Sequence, residues 1–442
     1  MTDDLTPVAA PHLKHGLNEE TTLYEGLIGI TLENRCFRSE GKIWMSWLPT
    51  PSIHFAVPSI ERGCLESPFV SHVDLYIPGR TEIKDCLVTA NSFGGAVESL
   101  HGVINNHSMQ GQAAGLKSCV FGIANFPDVR GSGLFYKDRT LRQCRLSFNA
   151  PGWHFTLDEA EAQPLLLNQL NESSGYGITH IGEITAEDDR IFTLEDCWQL
   201  IEAISYYLSF ACGRWVGVVL PVGIGTDGKP VADAWANPRV DPFATRLGWT
   251  DTQNPQTYEA PFSDFIALWQ DAYWREVLQI ALHWYLSANG LSGGLEGAII
   301  QTQTSFELLS SVVLVEKEQW LSRNGYEKIP AAERIRLLMH WAGIPTRIPL
   351  QCVELSKYAS ASNWIDSADG MTAIRNSITH PTKANREKYA SHSHALRLEL
   401  WKLGLLTLEL CLLRILKYQG VYSNRITCTW RGSVERVPWA ES

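Results

Sequence analysis

The sequence predicts an α+β multidomain protein, with a β-rich N-terminal region followed by an all-α helical bundle. Three observations carry this. Short runs of branched and aromatic residues, punctuated by Gly, Pro, Asn and Asp, fill residues 21–160. From about residue 262 the apolar residues recur instead at helical spacing over long stretches. Between them, residues 236–261 (ANPRVDPFATRLGWTDTQNPQTYEAP) are rich in Pro, Asn and Thr and read as a boundary.

The opening twenty residues are polar and are expected to be a flexible tail. KIWMSWL, SIHFAV, HVDLYI, DCLVTA, RLSFNA and GWHFTL then read as antiparallel strands of a sandwich or barrel. TLEDCWQLIEAISYYLSFACG, 193–213, reads as a helix, because Leu194, Trp198, Ile201, Ile204 and Leu208 recur every three to four residues. RWVGVVLPVGI and KPVADAWA are expected to form a hairpin turning at Asp227-Gly228. The β-rich region is thus set at 21–255, divisible into 21–160 and 161–255. The helical domain is set at 256–430, and 431–442 is expected to be a tail.

In the helical half, 262–289 predicts one long amphipathic helix, broken by GLSGG. A second runs through LEGAIIQTQTSFELLSSVVLVEKEQWLS. A third starts at Pro330 and closes at Gly343 and Pro345. A fourth is expected from Asp366 to Thr379 and a fifth from Asn385 to Tyr418. The fifth is apolar on several faces, at Leu398, Trp401, Leu405, Leu408, Leu412, Leu413 and Leu416, which predicts burial or a homodimer through this half.

The composition, 45% hydrophobic and 19% charged over 442 residues, supports an ample core. No secretory signal opens the chain, and LGLLTLELCLL is too short to span a bilayer, so a cytoplasmic protein with no membrane partner is expected. The ten cysteines stand singly, with no Cys-x-x-Cys pair, which predicts reduced thiols and no zinc ribbon. No metal or cofactor is expected. The net charge of −11 is unevenly spread. Residues 1–260 carry 18 Lys and Arg against 31 Asp and Glu, whereas 261–442 carry 19 against 17. Among the 16 tryptophans, Trp44, Trp47 and Trp153 fall in the β-rich part, as core or as a base or sugar platform.

Residues 375–380 read Arg-Asn-Ser-Ile-Thr-His, and Pro381 follows as a helix stop. An imidazole moves protons near neutral pH, and a guanidinium neutralises charge growing on a phosphate. On an ideal helix the two residues lie about 140° apart and roughly 7.5 Å along the axis, so the helix end or a second subunit must bring them together. Two similar spacings, Arg334/His340 and Arg386/His392, lack the Asn and the proline-marked helix end. His380 also suits a simple C-terminal cap. Arg375 suits an ion pair with Asp369 or Glu307, and Asn376 a satisfied polar residue. Glu307, inside SFELLSSVVLV, needs a partner or partial exposure. Lys383, Arg386 and Lys388 form a basic run, read either as a solvated helix start or as a landing strip for phosphates.

At Arg375–His380 the chain resembles the HEPN family of helical domains, whose hallmark is Arg, a polar residue, a few more residues and His. The order of domains is similar to that of ApeA-like phage-defence proteins. The resemblance implies an all-α HEPN bundle and a metal-independent endoribonuclease. Its catalytic residues would be Arg375, Asn376 and His380, with Glu307 matching an acidic position on an earlier helix. Lys383, Arg386 and Lys388 would bind RNA, with tRNA among the candidates. It further implies a homodimer, a role in phage defence or as a toxin, and a phage-derived or small-molecule trigger on the N-terminal region. Toxin-type members often carry a tyrosine two positions after the histidine, where this chain has Thr382. A non-catalytic HEPN scaffold that binds a nucleotide or protein, and a glycan or ligand binder led by the β-rich domain, stand as alternatives.

Overall fold

The structure, a computed structural model, describes residues 6–32, 35–65, 67–95, 97–111, 114–380, 382–428 and 430–440. The chain divides into two compact units: Met1–Ser205 with Val216–Thr245, and Tyr206–Trp215 with Arg246–Ser442. The first is β-rich and the second helical, an α+β multidomain protein.

In the β-rich unit, β1 (Thr21–Leu32), β2 (Arg35–Ser46), β3 (Ser52–Ile60), β4 (His72–Tyr76), β5 (Ile83–Ser92) and β6 (Glu98–Ile104) close a barrel in the order β1-β2-β3-β6-β5-β4. The period-two pattern drives this closure. On β3, Ile53, Phe55 and Val57 are fully buried, while the residues between them are partly exposed. Gly102 lets β5 and the Phe55 ring approach, because a Cβ there would lie 2.2 Å from the Leu87 carbonyl oxygen.

Next come β7 (Ser108–Gly111), β8 (Leu116–Ala124), β9 (Ser132–Phe135), β10 (Leu141–Ala150), β11 (Trp153–Glu159), β12 (Ile178–Ala186), β13 (Gly217–Gly225) and β14 (Pro230–Trp235). They form an antiparallel sheet in the order β7-β14-β13-β8-β12-β11-β10-β9. The β13–β14 hairpin turns at Asp227-Gly228, with Gly228 at φ 77°. Helix α1 (Gln163–Ser173) precedes β12, and α2 (Leu194–Cys212) precedes β13.

From residue 6 onward the polar opening is packed rather than loose. Leu13 is buried in the barrel core, the Val8 N–H donates to Asp158 at 2.8 Å, and Trp47 Nε1 donates to the Glu19 carbonyl at 2.9 Å. Composition misjudges this segment because a few apolar anchors suffice to hold a polar strap.

The helical unit comprises α3 (Gln256–Glu259), α4 (Phe262–Gln270), α5 (Ala272–Asn289), α6 (Gly294–Ser311), α7 (Arg323–Lys328), α8 (Ala331–Ala342), α9 (Val353–Ser362), α10 (Ser367–Thr379), α11 (Lys383–Ser391) and α12 (His394–Ile415). The long helix expected over 262–289 is two. Asp271 turns extended, and its carboxylate accepts from the N–H groups of Tyr273 and Trp274, capping α5. The expected 385–418 helix also divides, because His392 is extended and Ser393 caps α12 through the Leu396 N–H. A π-helical stretch, Val312–Lys317, extends α6. Together Gly294–Lys317 are long and apolar enough to cross a membrane, but 61% of the 18-residue apolar window within them is buried in the structure.

Helix α12 packs against α5, α6, α8, α9 and α10. Leu405, Leu408, Leu412, Leu413 and Leu416 are all buried, whereas Leu398 and Trp401 are half-buried. The closing segment is anchored too. Val437 is buried, Trp439 Nε1 donates to the Tyr418 carbonyl at 2.7 Å, and β15 (Val421–Tyr422) pairs with β16 (Glu435–Arg436). The expected tail at 431–442 is therefore docked as far as residue 440. Arg425 and Glu409, both fully buried, form a bidentate pair that Tyr285 and Asn289 complete.

Candidate functional site

Helix α10 is set by its start. Asp366 caps it, accepting from the N–H groups of Ala368 and Asp369. Asp366 is also held by Arg336 of α8, through Nε at 2.7 Å and Nη2 at 2.9 Å. Burial opposes ionisation of Asp366, but the guanidinium and the capping N–H groups outweigh it and leave its pKa below the usual value. This clamp fixes where the other end of α10 presents Arg375, Asn376 and His380.

Arg375 is half-buried. Its Nη2 lies 3.5 Å from Glu307 Oε1 on α6, and its Nη1 donates to Asn376 Oδ1 at 3.2 Å. Its Nε is buried with no protein partner. Arg375, Asn376 and Glu307 therefore form one cluster, and of the two carboxylates weighed from the sequence Glu307 is the one Arg375 meets. Asp369 binds Arg336 instead, at 3.0 Å.

His380 is exposed and ends the helix in extended backbone, φ −107° and ψ 93°. Its N–H donates to the Asn376 carbonyl at 3.1 Å, and its own carbonyl accepts from the Thr382 N–H at 2.8 Å and from Asn385 Nδ2 at 2.9 Å. The main chain is thus fixed, while among the described residues the imidazole makes no hydrogen bond. Because His380 has left the helix, the ideal-helix separation from Arg375 no longer applies. Pro381, expected to stop the helix, lies outside the described residues. Thr382 caps α11 through the Asn385 N–H. His380 therefore sits between the carbonyl end of α10 and the N–H end of α11. Lys383, Arg386 and Lys388 follow on α11, all exposed, and Lys383 is 3.8 Å from Glu387.

A second cluster, not singled out from the sequence, lies on the same unit. Tyr389 of α11 donates to Glu296 of α6 and accepts from Arg397 of α12, and Arg397 lies 2.9 Å from Glu296. Beside it, buried His392 meets the Tyr358 hydroxyl at 3.0 Å. Burial, with Lys388 and Arg397 nearby, pushes the His392 pKa down to about 4. Of its buried polar atoms, His392 Nδ1 and Arg397 Nε have no protein partner, and its spacing in sequence carries no motif. Among the described residues, no three His, Cys, Asp or Glu side chains converge as a metal would require.

Two parts of the chain match known family models. Residues 271–436, nearly the whole helical unit, match the YopA C-terminal domain, and residues 111–246 match the YopA central domain. The chain is similar to YopA. The "SPbeta prophage-derived uncharacterized protein YopA" of Bacillus subtilis (strain 168) is 25% identical over 439 residues, covering 97% of each chain. No solved structure matches the chain significantly. The likeness to YopA runs through both units and spans the stretch from Glu307 to Lys388 that holds the candidate site.

Proposed function

We propose that the helical unit is a HEPN-type, metal-independent endoribonuclease that cleaves RNA by attack of the substrate's own 2′-hydroxyl. One observation carries the reading: Arg375, braced by Glu307 and Asn376, shares a helix end with an exposed, uncommitted imidazole at His380. Arg375 would hold the phosphate and stabilise the charge that grows on it. His380 would take the 2′-hydroxyl proton or give one to the leaving 5′ oxygen, ending one product in a 2′,3′-cyclic phosphate. Asn376 would orient Arg375, and Glu307 would position it. Lys383, Arg386 and Lys388 supply the electrostatic approach for a single strand. One active site would gather two copies of the motif in a homodimer, as the resemblance at 375–380 implies. The resemblance itself rests on that short motif. The prophage origin stated for the Bacillus subtilis relative fits a role in phage defence or as a toxin, acting in the cytoplasm.

A ligand-binding role for the β-rich unit is favoured by a cavity of about 440 Å³ on its barrel, lined by Glu20, Glu25, Glu40, Lys42 and Trp44. This suits a trigger site for a small molecule. The deciding experiment incubates RNA with the full chain in EDTA and compares wild type with Arg375→Ala and His380→Ala. Cleavage by the wild type alone, with all three proteins melting alike, is expected. Wild-type protein that leaves RNA intact sinks the nuclease reading, and a scaffold or ligand binder then takes its place.

A further inference from the structure

One helical turn from the Arg375–Glu307 pair, the same two helices and α12 enclose a narrow crevice. Its walls are Phe306, Met371, Leu400, Trp401 and Gly404, and Gln303 lies among them. Gln303 is four residues before Glu307 on α6, and Met371 four before Arg375 on α10, so the crevice and the pair are about 6 Å apart along the helices. The other walls are apolar or aromatic except Thr302, whose hydroxyl donates to the Ala298 carbonyl at 2.8 Å. Gln303 is 2% exposed, and its Nε2 has no hydrogen-bond partner in the protein. A buried N–H in an apolar crevice is a specific request for an acceptor. The accessible space of the whole crevice is about 10 Å³, room for one oxygen-sized atom, so a ring offering that atom stays outside it.

We infer that this crevice reads the base whose phosphate Arg375 holds, and that it selects a pyrimidine. The inference rests on the ribonuclease reading of the same site. The separation matches the step from a phosphate to the edge of its own base. The acceptor nearest the sugar differs in shape between base classes. In uracil and cytosine it is O2, an exocyclic oxygen that projects from the ring. In adenine and guanine it is N3, which lies within the ring outline and cannot enter a one-atom recess. Gln303 Nε2 donates to O2, and the half-buried Trp401 covers the ring, as single-stranded bases are commonly held against aromatic side chains. Gly404 keeps the recess open. A Cβ there would come within 3.1 Å of the Thr302 side chain on the facing helix.

The test titrates the full chain with the four nucleoside 3′-monophosphates by calorimetry, with no metal added. Uridine and cytidine monophosphates are expected to bind at least tenfold more tightly than either purine. Gln303→Leu is expected to erase that ranking, and Gln303→Glu, nearly equal in size but lacking the N–H, to do the same. Arg375→Ala is expected to weaken all four nucleotides together. Equal affinities, no binding, or a ranking that survives both Gln303 variants overturns the crevice. Pyrimidine selectivity in a protein that leaves RNA uncut supports the crevice and removes the nuclease reading, so the two failures are told apart.

Discussion

Arg375 on α10 lies 3.5 Å from Glu307 on α6, and this ion pair is only partly shielded, with side-chain exposures of 25% and 42%. Pairs so exposed contribute at most about 1 kcal/mol. Stability therefore gives little reason to set a carboxylate within SFELLSSVVLV, and positioning Arg375 is the stronger one. Glu307→Gln is expected to change unfolding free energy by less than about 1 kcal/mol, yet to lower RNA cleavage at least tenfold. Urea melts and initial cleavage rates on the same preparations check this. Unchanged cleavage reduces Glu307 to a surface partner.

The buried pair behaves in the opposite way. Arg425 and Glu409 have no solvent exposure, and removing one leaves the other charged and unpaired. Arg425→Met is expected to destabilise the helical unit by about 3–5 kcal/mol. The double variant Arg425→Met/Glu409→Leu is expected to recover most of that loss, because no charge then remains buried. Equal losses in the single and double variants would mean that the link to Asn289 and the Leu247 carbonyl, rather than charge, is what matters.

Much of this architecture was legible because local chemistry and tertiary structure agree. Alternation along SIHFAV and GWHFTL gave strands with the expected buried faces. Asp366 starts α10 through its capping carboxylate, and Gly343 ends α8 at φ 72°. The breaks at Asp271 and His392–Ser393 were hidden because the apolar stripes on either side read as continuous, though both caps are good N-cap residues. Arg375, Asn376 and His380 were found because they lie within six residues. Glu296, Tyr389 and Arg397 were missed because three separate helices bring them together. Gln303 looks like any polar residue on a helix until its N–H proves buried and unmatched.

His392 predicts a pH dependence. Its pKa is near 4 in the folded protein, against about 6.5 when the chain is unfolded. Above pH 6.5 it is neutral in both states and the folded state keeps its full stability. As pH falls through the interval between these values the unfolded chain binds the proton first, so stability declines and levels off below pH 4. The expected loss between pH 7.5 and 5 is about 2 kcal/mol. His180, pushed down to about 3 by burial in the β-rich unit, adds a term of the same sign. Comparing wild type with His392→Gln by denaturant melts at both pH values isolates the first term. A parallel decline in both proteins would show that His392 does not carry it.

The exposed cations of α11 set the last expectation. Lys383, Arg386 and Lys388 extend from the N-terminal turn that follows His380, so a strand whose phosphate meets Arg375 would run along them. Each phosphate neutralised releases counterions, lowering log affinity by about 0.7 per unit of log salt on a single strand. Lys383→Glu/Arg386→Glu is expected to weaken RNA binding at every sequence and to flatten the salt slope by about 1.4, two phosphates' worth. The pattern of cut sites should stay as it is, because these side chains reach backbone and not base edges. Filter binding from 50 to 300 mM salt, with the cleavage pattern read on the same RNA, checks both halves. A salt slope equal to wild type would show that RNA enters from another face of the helical unit, and altered cut sites would mean that α11 contacts bases.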